Sequence, residues 1–193
     1  MKDLQTILSA AAAVALLSAP VARSQEIQDR KENQQDRIGQ GVQDGQLTAG
    51  ETARLEGKES ALNHEEHNMR QLDNGKLTTQ DRKTLNQQQN KLSNQIYTAK
   101  HNNWTQGTPK GEIGQRKENQ QDRIAQGIKS GQLTAGETAN LERKESSLNK
   151  EEHNMRQLDN GKLTGQDKKT LNQQQNHLSK QIFNKKHNLR RQH

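Results

Sequence analysis

His64-Glu65-Glu66-His67 is the densest run of metal-capable side chains in this sequence. Two imidazoles and a carboxylate on one helix face can hold a transition metal weakly. The histidines are three residues apart, however. The zinc-peptidase motif sets them four apart, with a glutamate directly after the first. A solvated polar face is therefore the expected role, and no metal is assigned. Lys180, Lys185, Lys186, Arg190 and Arg191 form the other chemically distinctive group. Such a cluster can contact a polyanion by releasing its condensed counterions. Phe183 is the one aromatic close by for stacking on a base, so weak polyanion contact is the most this cluster predicts. The chain has no cysteine, which removes thiol nucleophiles, thiolate zinc sites and disulfides together. No nucleophile with its base and orienting group is visible, and no phosphate-cradling glycine loop follows a strand. The expectation is a protein that is not an enzyme and carries no cofactor.

A second kind of pattern is structural. Gly-x-Leu-Thr-x-x-acid occurs from Gly45, Gly75, Gly131 and Gly161. Glycine suits the left-handed residue that ends a helix. Threonine is a good N-cap, and an acid three residues on closes a capping box near the positive end of the new helix. Thr48 with Glu51, Thr78 with Asp81, Thr134 with Glu137 and Thr164 with Asp167 are the expected caps. The phrase Asp73-Asn74-Gly75-Lys76-Leu77-Thr78 also resembles about half of an EF-hand calcium loop. With Gly75 at the loop's central glycine, Arg70 and Leu72 fall where the first oxygen ligands belong. The resemblance implies at most a degenerate, cation-responsive turn.

These motifs recur because the chain is duplicated. Arg30–Asn102 returns as Arg116–Asn188 at an offset of 86 without a gap, and 58 of the 73 aligned positions are identical. His64 returns as Lys150, which further weakens a metal reading. Each copy reads as three helices: about Ile27 to Gln43, Ala49 to about Gln71, and Thr79 to about His101, then the same 86 residues later. The second and third have matched lengths of ~35 Å and a tight turn between them, which predicts an antiparallel hairpin. Leu47, Leu55, Leu62, Met69 and Leu72 make one narrow apolar stripe, and Leu77, Leu85, Leu92 and Ile96 its partner. The Gln/Asn tracts Asn86 to Asn90 and Asn172 to Asn176 are expected on the outer face. The fold class is all-α: two tandem three-helix modules with long hairpins and a thin apolar seam. Copy one spans 25–102 and copy two 112–188. A Gly/Pro linker at 103–111 is expected to keep the copies energetically separate, and a basic tail occupies 189–193.

Only 26% of residues are apolar and 2% aromatic, too few for a wide core. The formal charge is +7. It is uneven: residues 30–102 hold 11 basic and 10 acidic groups, and residues 116–188 hold 14 and 9. Residues 1–24 read as a signal peptide. A short apolar run from Ile7 to Leu17 precedes Ala22-Arg23-Ser24, a small-x-small cleavage site. No stable membrane insertion is expected once it is removed. Gln/Asn-rich helices, Gly-x-Leu-Thr turns and the Lys-His-Asn ends at 100–102 and 186–188 resemble uncharacterised exported bacterial helical-repeat proteins. That resemblance implies a periplasmic or extracellular location and supplies no activity. The expected function is an exported structural or interaction module that binds a protein partner or itself through polar helix faces. The alternatives are a cation-responsive binding protein and a weak polyanion binder through the basic C-terminal half. N-terminal sequencing of exported material should begin at Gln25 or within a few residues; full-length chain retained in the cytosol would contradict the export reading.

Overall fold

The computed structural model describes residues 19–105, 107 and 111–191, with side chains from Gln25 onward. Residues 1–18, most of the expected signal segment, lie outside it. Six helices follow one another: α1 (Ala19–Gln43), α2 (Ala49–Leu72), α3 (Thr79–Lys100), α4 (Gly111–Lys129), α5 (Ala135–Leu158) and α6 (Gly165–Lys186). The all-α fold of two three-helix modules is as the sequence implies. The first helix begins earlier than expected and runs through the Ala22-Arg23-Ser24 segment.

The turns build as their residues dictate. All four capping boxes are closed, with the threonine hydroxyl accepting from the third backbone N–H and the acid accepting from the threonine N–H. Asn74 and Gly75 both adopt positive φ, 53° and 83°, and the Gly75 N–H donates to the Arg70 carbonyl at 2.7 Å. That bond satisfies a carbonyl the ending helix would otherwise leave open. The repeated Lys-His-Asn ends are explained by the same economy. Asn102 donates to Glu51 at 2.6 Å and Asn188 to Glu137 at 2.7 Å. Each asparagine thereby ties the end of a third helix to the capping glutamate of its own second helix. His101 and His187 lie flat on Tyr97 and Phe183, with ring centroids 4.1 Å apart.

Within each copy the second and third helices form the hairpin, and the first helix packs on the third. The copies are not separate, contrary to the expectation of few contacts across the linker. α2 runs along α5, and α1 along α4. A Cβ placed on Gly50 would lie 3.4 Å from Ser146 Oγ, and one on Gly136 would lie 3.1 Å from Ser60 Oγ. Residues 50 and 136 are equivalents, as are 60 and 146, so the contact is the same patch used from both sides. This is the signature of an isologous, two-fold interface, here formed inside one chain, and it makes α2 and α5 antiparallel. Residues on the axis meet their own equivalents: Lys129 donates to Gln43 at 3.2 Å. Sequence reasoning missed this packing because a linker's length says nothing about which faces close on each other.

The apolar core joins both copies. Ile38, Leu55, Leu92 and Ile96 belong to the same buried cluster as Ile124, Leu141, Leu171 and Ile182. Ile27, Leu77 and Leu85 form a smaller cluster at the far end of copy one, with Met69 packed on it. Leu72 departs from its expected place in the seam: it is 83% exposed, as is its equivalent Leu158 at 84%. Each is the last residue of its helix, where the chain turns away before any neighbour can cover it. Leu171→Ala removes a fully buried side chain and should cost ~2–5 kcal/mol. Because the core is shared, circular dichroism melts should show one cooperative transition shifted as a whole, not the loss of copy two alone.

Candidate functional site

An α-helix that buries one face needs apolar residues at three- and four-residue spacing. On α2 the leucines at 55 and 62 leave gaps in that spacing, and Thr52, Glu56, Glu59 and Glu66 occupy them. On α5 the equivalents are Thr138, Glu142, Glu145 and Glu152. The glutamates therefore face inward for geometric reasons. Glu56, Glu59, Glu142 and Glu145 are all 0% exposed. Glu56 and Glu142 are equivalents, 86 residues apart, and lie close enough across the pseudo-two-fold for the charge of Glu142 to act on Glu56.

The helices behind them supply limited help. Gln35 of α1 donates to Glu56 at 3.1 Å, and Gln121 of α4 to Glu142 at 3.1 Å. The other oxygen of Glu56 and of Glu142, and both oxygens of Glu59 and Glu145, are buried without a hydrogen-bond partner. So are the side-chain carbonyl oxygens of Gln35 and Gln121. A buried carboxylate without donors is strongly disfavoured in its charged form. Burial pushes Glu56 well above the ordinary carboxylate range, with Glu59 and Glu142 adding to the rise against the Gln35 hydrogen bond. Burial likewise pushes Glu142 up to about 8. Glu59 and Glu145 are pushed up to about 7 by burial, opposed by Lys31 and Lys117 respectively.

Nearer the open edge the same helices carry ionised groups. Lys31 pairs with Glu66 at 3.0 Å, and Arg70 with Glu66 at 2.8 Å. Lys117 and Arg156 do the same for Glu152. Burial works against the charge of Glu66 and of Glu152, but their cationic partners hold both below the usual range. Each copy thus sets a paired carboxylate beside two unpaired ones. Further along, Gln34 donates to the Gln89 carbonyl at 2.7 Å and Gln89 donates to the Ile27 carbonyl at 3.0 Å. Gln120 and Gln175 repeat this in copy two. The Gln/Asn tracts are therefore not wholly on the outer face: Gln89 and Gln175 are buried and join α1 to α3 and α4 to α6.

The residues expected to do chemistry are placed elsewhere. His64 and His67 are exposed, and the Glu66 beside them is committed to Lys31 and Arg70. Among the described residues no group of three or more histidine, aspartate or glutamate side chains is arranged to hold a metal ion. Asp81 and Asp167 are engaged as caps, and their hydrogen bonds from Thr78 and Thr164 keep them below the usual carboxylate range. The basic group is divided. Lys180 is exposed, Lys185 pairs with Glu137 at 3.4 Å, and burial together with Arg123 lowers Lys186. Arg190 and Arg191 line an open groove of about 840 Å³ together with Lys31, Arg70 and Lys185. The equivalent groove across the pseudo-two-fold, about 1680 Å³, has Trp104 and Thr105 where this one has the two arginines.

The four buried glutamates escaped sequence reasoning, although a signal existed. The leucine stripe is too sparse to be the whole inner face, and the acids fall at the spacing that completes it. Compared with family models, curated proteins and solved structures, the chain matches none. Among the described residues no helix is long and apolar enough to cross a membrane. Gln89→Ala should cost about 1 kcal/mol, because it removes the buried side-chain amide that donates to the Ile27 carbonyl, while the Gln89 backbone carbonyl that Gln34 donates to stays in place. Gln87→Ala, on the exposed face of the same tract, should be neutral in the same denaturant titration.

Proposed function

We propose that the protein is an exported interaction module of the envelope or secreted fraction, binding protein through helix faces that it presents in equivalent pairs. The observation that carries this reading is that four of its exposed apolar side chains, though not Trp104 or Leu189, fall in equivalent pairs. Leu72 and Leu158 stand at the two hairpin tips, and Tyr97 and Phe183, 59% and 54% exposed, lie on the two third helices. Each pair is related by the 86-residue offset. Two equivalent contact points on one chain gain avidity when both engage a partner. The export half of the reading rests on the apolar run and on Ala22-Arg23-Ser24. The resemblance to exported helical-repeat proteins agrees with it. Cleavage after Ser24 would also spare the described core, whose first buried side chain is Ile27.

A second reading is favoured by one specific observation. Lys31, Arg70, Lys185, Arg190 and Arg191 border a single groove, and Glu66 and Glu137 there do not balance them. That surplus supports weak contact with a polyanion. The degenerate EF-hand reading gains nothing comparable, since its acids serve as caps. Tagged chain should capture protein from native envelope material. Capture should weaken in Leu72→Ser or Leu158→Ser and vanish in the double variant, with helicity unchanged in all three. Equal capture by the double variant would overturn the paired-face reading. Capture that depends on the two tail arginines and fades with added salt would favour the polyanion reading instead.

A further inference from the structure

We infer that the carboxyl groups of Glu56, Glu59, Glu142 and Glu145 form a proton-dependent lock between the two copies, closing the α2–α5 seam when protonated and weakening it when ionised.

The geometry supports this independently of any titration value. The four side chains are fully buried and come from the two helices that hold the copies together. Glu56 and Glu142 are equivalents on the pseudo-two-fold, so the same acid is presented to itself across the seam. Two buried carboxylates so placed cannot both be charged without mutual repulsion. The donors are too few. Gln35 and Gln121 each satisfy one oxygen, six further glutamate oxygens have no partner, and the two amide oxygens of those glutamines are buried and unpartnered as well. An unpartnered acceptor beside a carboxyl is what a carboxylic O–H can satisfy and a carboxylate cannot. Protonation therefore converts acceptors that repel into donor–acceptor pairs within the same space.

The charged groups acting on these carboxyls come from α1, α2, α4 and α5. Lys31 opposes the rise of Glu59 and Lys117 that of Glu145, but both lysines are held by Glu66 and Glu152. Those two glutamates add negative charge toward Glu59 and Glu145. Arg70 and Arg156 spend their charge on Glu66 and Glu152. Arg143 of α5 reaches Gly57, one residue from Glu56. The net result raises all four acids, Glu142 to about 8 and Glu59 and Glu145 to about 7. A raised acid binds its proton more tightly in the folded state than in the unfolded one. The stability it contributes is fully present below the unfolded value of 4.5 and is lost as pH rises through about 7 to 8.

Thermal melts of the full chain test the lock against a variant in which all four acids become glutamine (Glu56→Gln, Glu59→Gln, Glu142→Gln, Glu145→Gln). The wild type should lose roughly 10 °C or more in melting temperature between about pH 5.5 and about pH 8.5. The variant, whose amides cannot ionise, should lose much less. An equal loss in both proteins, or no loss in the wild type, overturns the inference. If the fourfold variant does not fold, infrared spectroscopy of the wild type decides. Near pH 6, where exposed acids are ionised, a protonated-carboxyl C=O band should persist and should vanish near pH 9. Absence of that band near pH 6 overturns the inference.

Discussion

The seam between α2 and α5 has to close over glutamates, and the rest of the architecture follows from how it does so. A chain with 26% apolar residues cannot give six amphipathic helices a fully apolar inner face. Polar side chains are forced inward, where each must find a partner or give up its charge. At the outer edge of the seam the first solution is used: Lys31 and Arg70 surround Glu66, and Lys117 and Arg156 surround Glu152. At the centre neither Glu56 nor Glu142 has an ion-pair partner among the described residues, and burial pushes both above the ordinary carboxylate range. A core held partly by hydrogen bonds is high in stakes, since a half-satisfied network is worse than an apolar one.

Duplication explains why the arrangement is so regular. One module presents a face with a small-residue approach at Gly50 or Gly136 and an acid at Glu56 or Glu142; two copies in one chain complete it. The differences between copies fall partly on the axis. Gly57 faces Arg143, and Gln43 faces Lys129. Two arginines or two lysines at those places would repel, so the pairing of unlike copies is electrostatically easier than pairing of two second copies. The excess of positive charge in the second copy is tolerable partly for this reason.

Surface and interior are thus divided in an unusual way. Acids short of hydrogen-bond donors are inside, whereas Leu72, Leu158, Tyr97 and Phe183 are outside. The aromatic rings are not idle: each stacks on the histidine that ends its helix. The two grooves are equivalent in position but are lined at one edge by Trp104 in one case and Arg190 in the other.

The helices, their turns and the doubling of the module could be read from the chain, because each depends on residues a few places apart. Thr78 finds Asp81 within one turn, and Gly75 needs only its own backbone freedom. The hairpin of α2 and α3 was legible for the same reason, through matched lengths and a short turn. Leu72 was not, since its exposure depends on where α2 stops relative to its neighbours. Nor were Gln89 and Gln175, whose place inside is set by α1 and α4 crossing above them. The buried acids are the clearest case. Their spacing marks an inner face, but whether an inner glutamate meets a lysine, as Glu66 does, or its own equivalent, as Glu56 does, depends on which helix lies opposite. That opposition joins residues 86 positions apart, and only the closing of one copy on the other decides it.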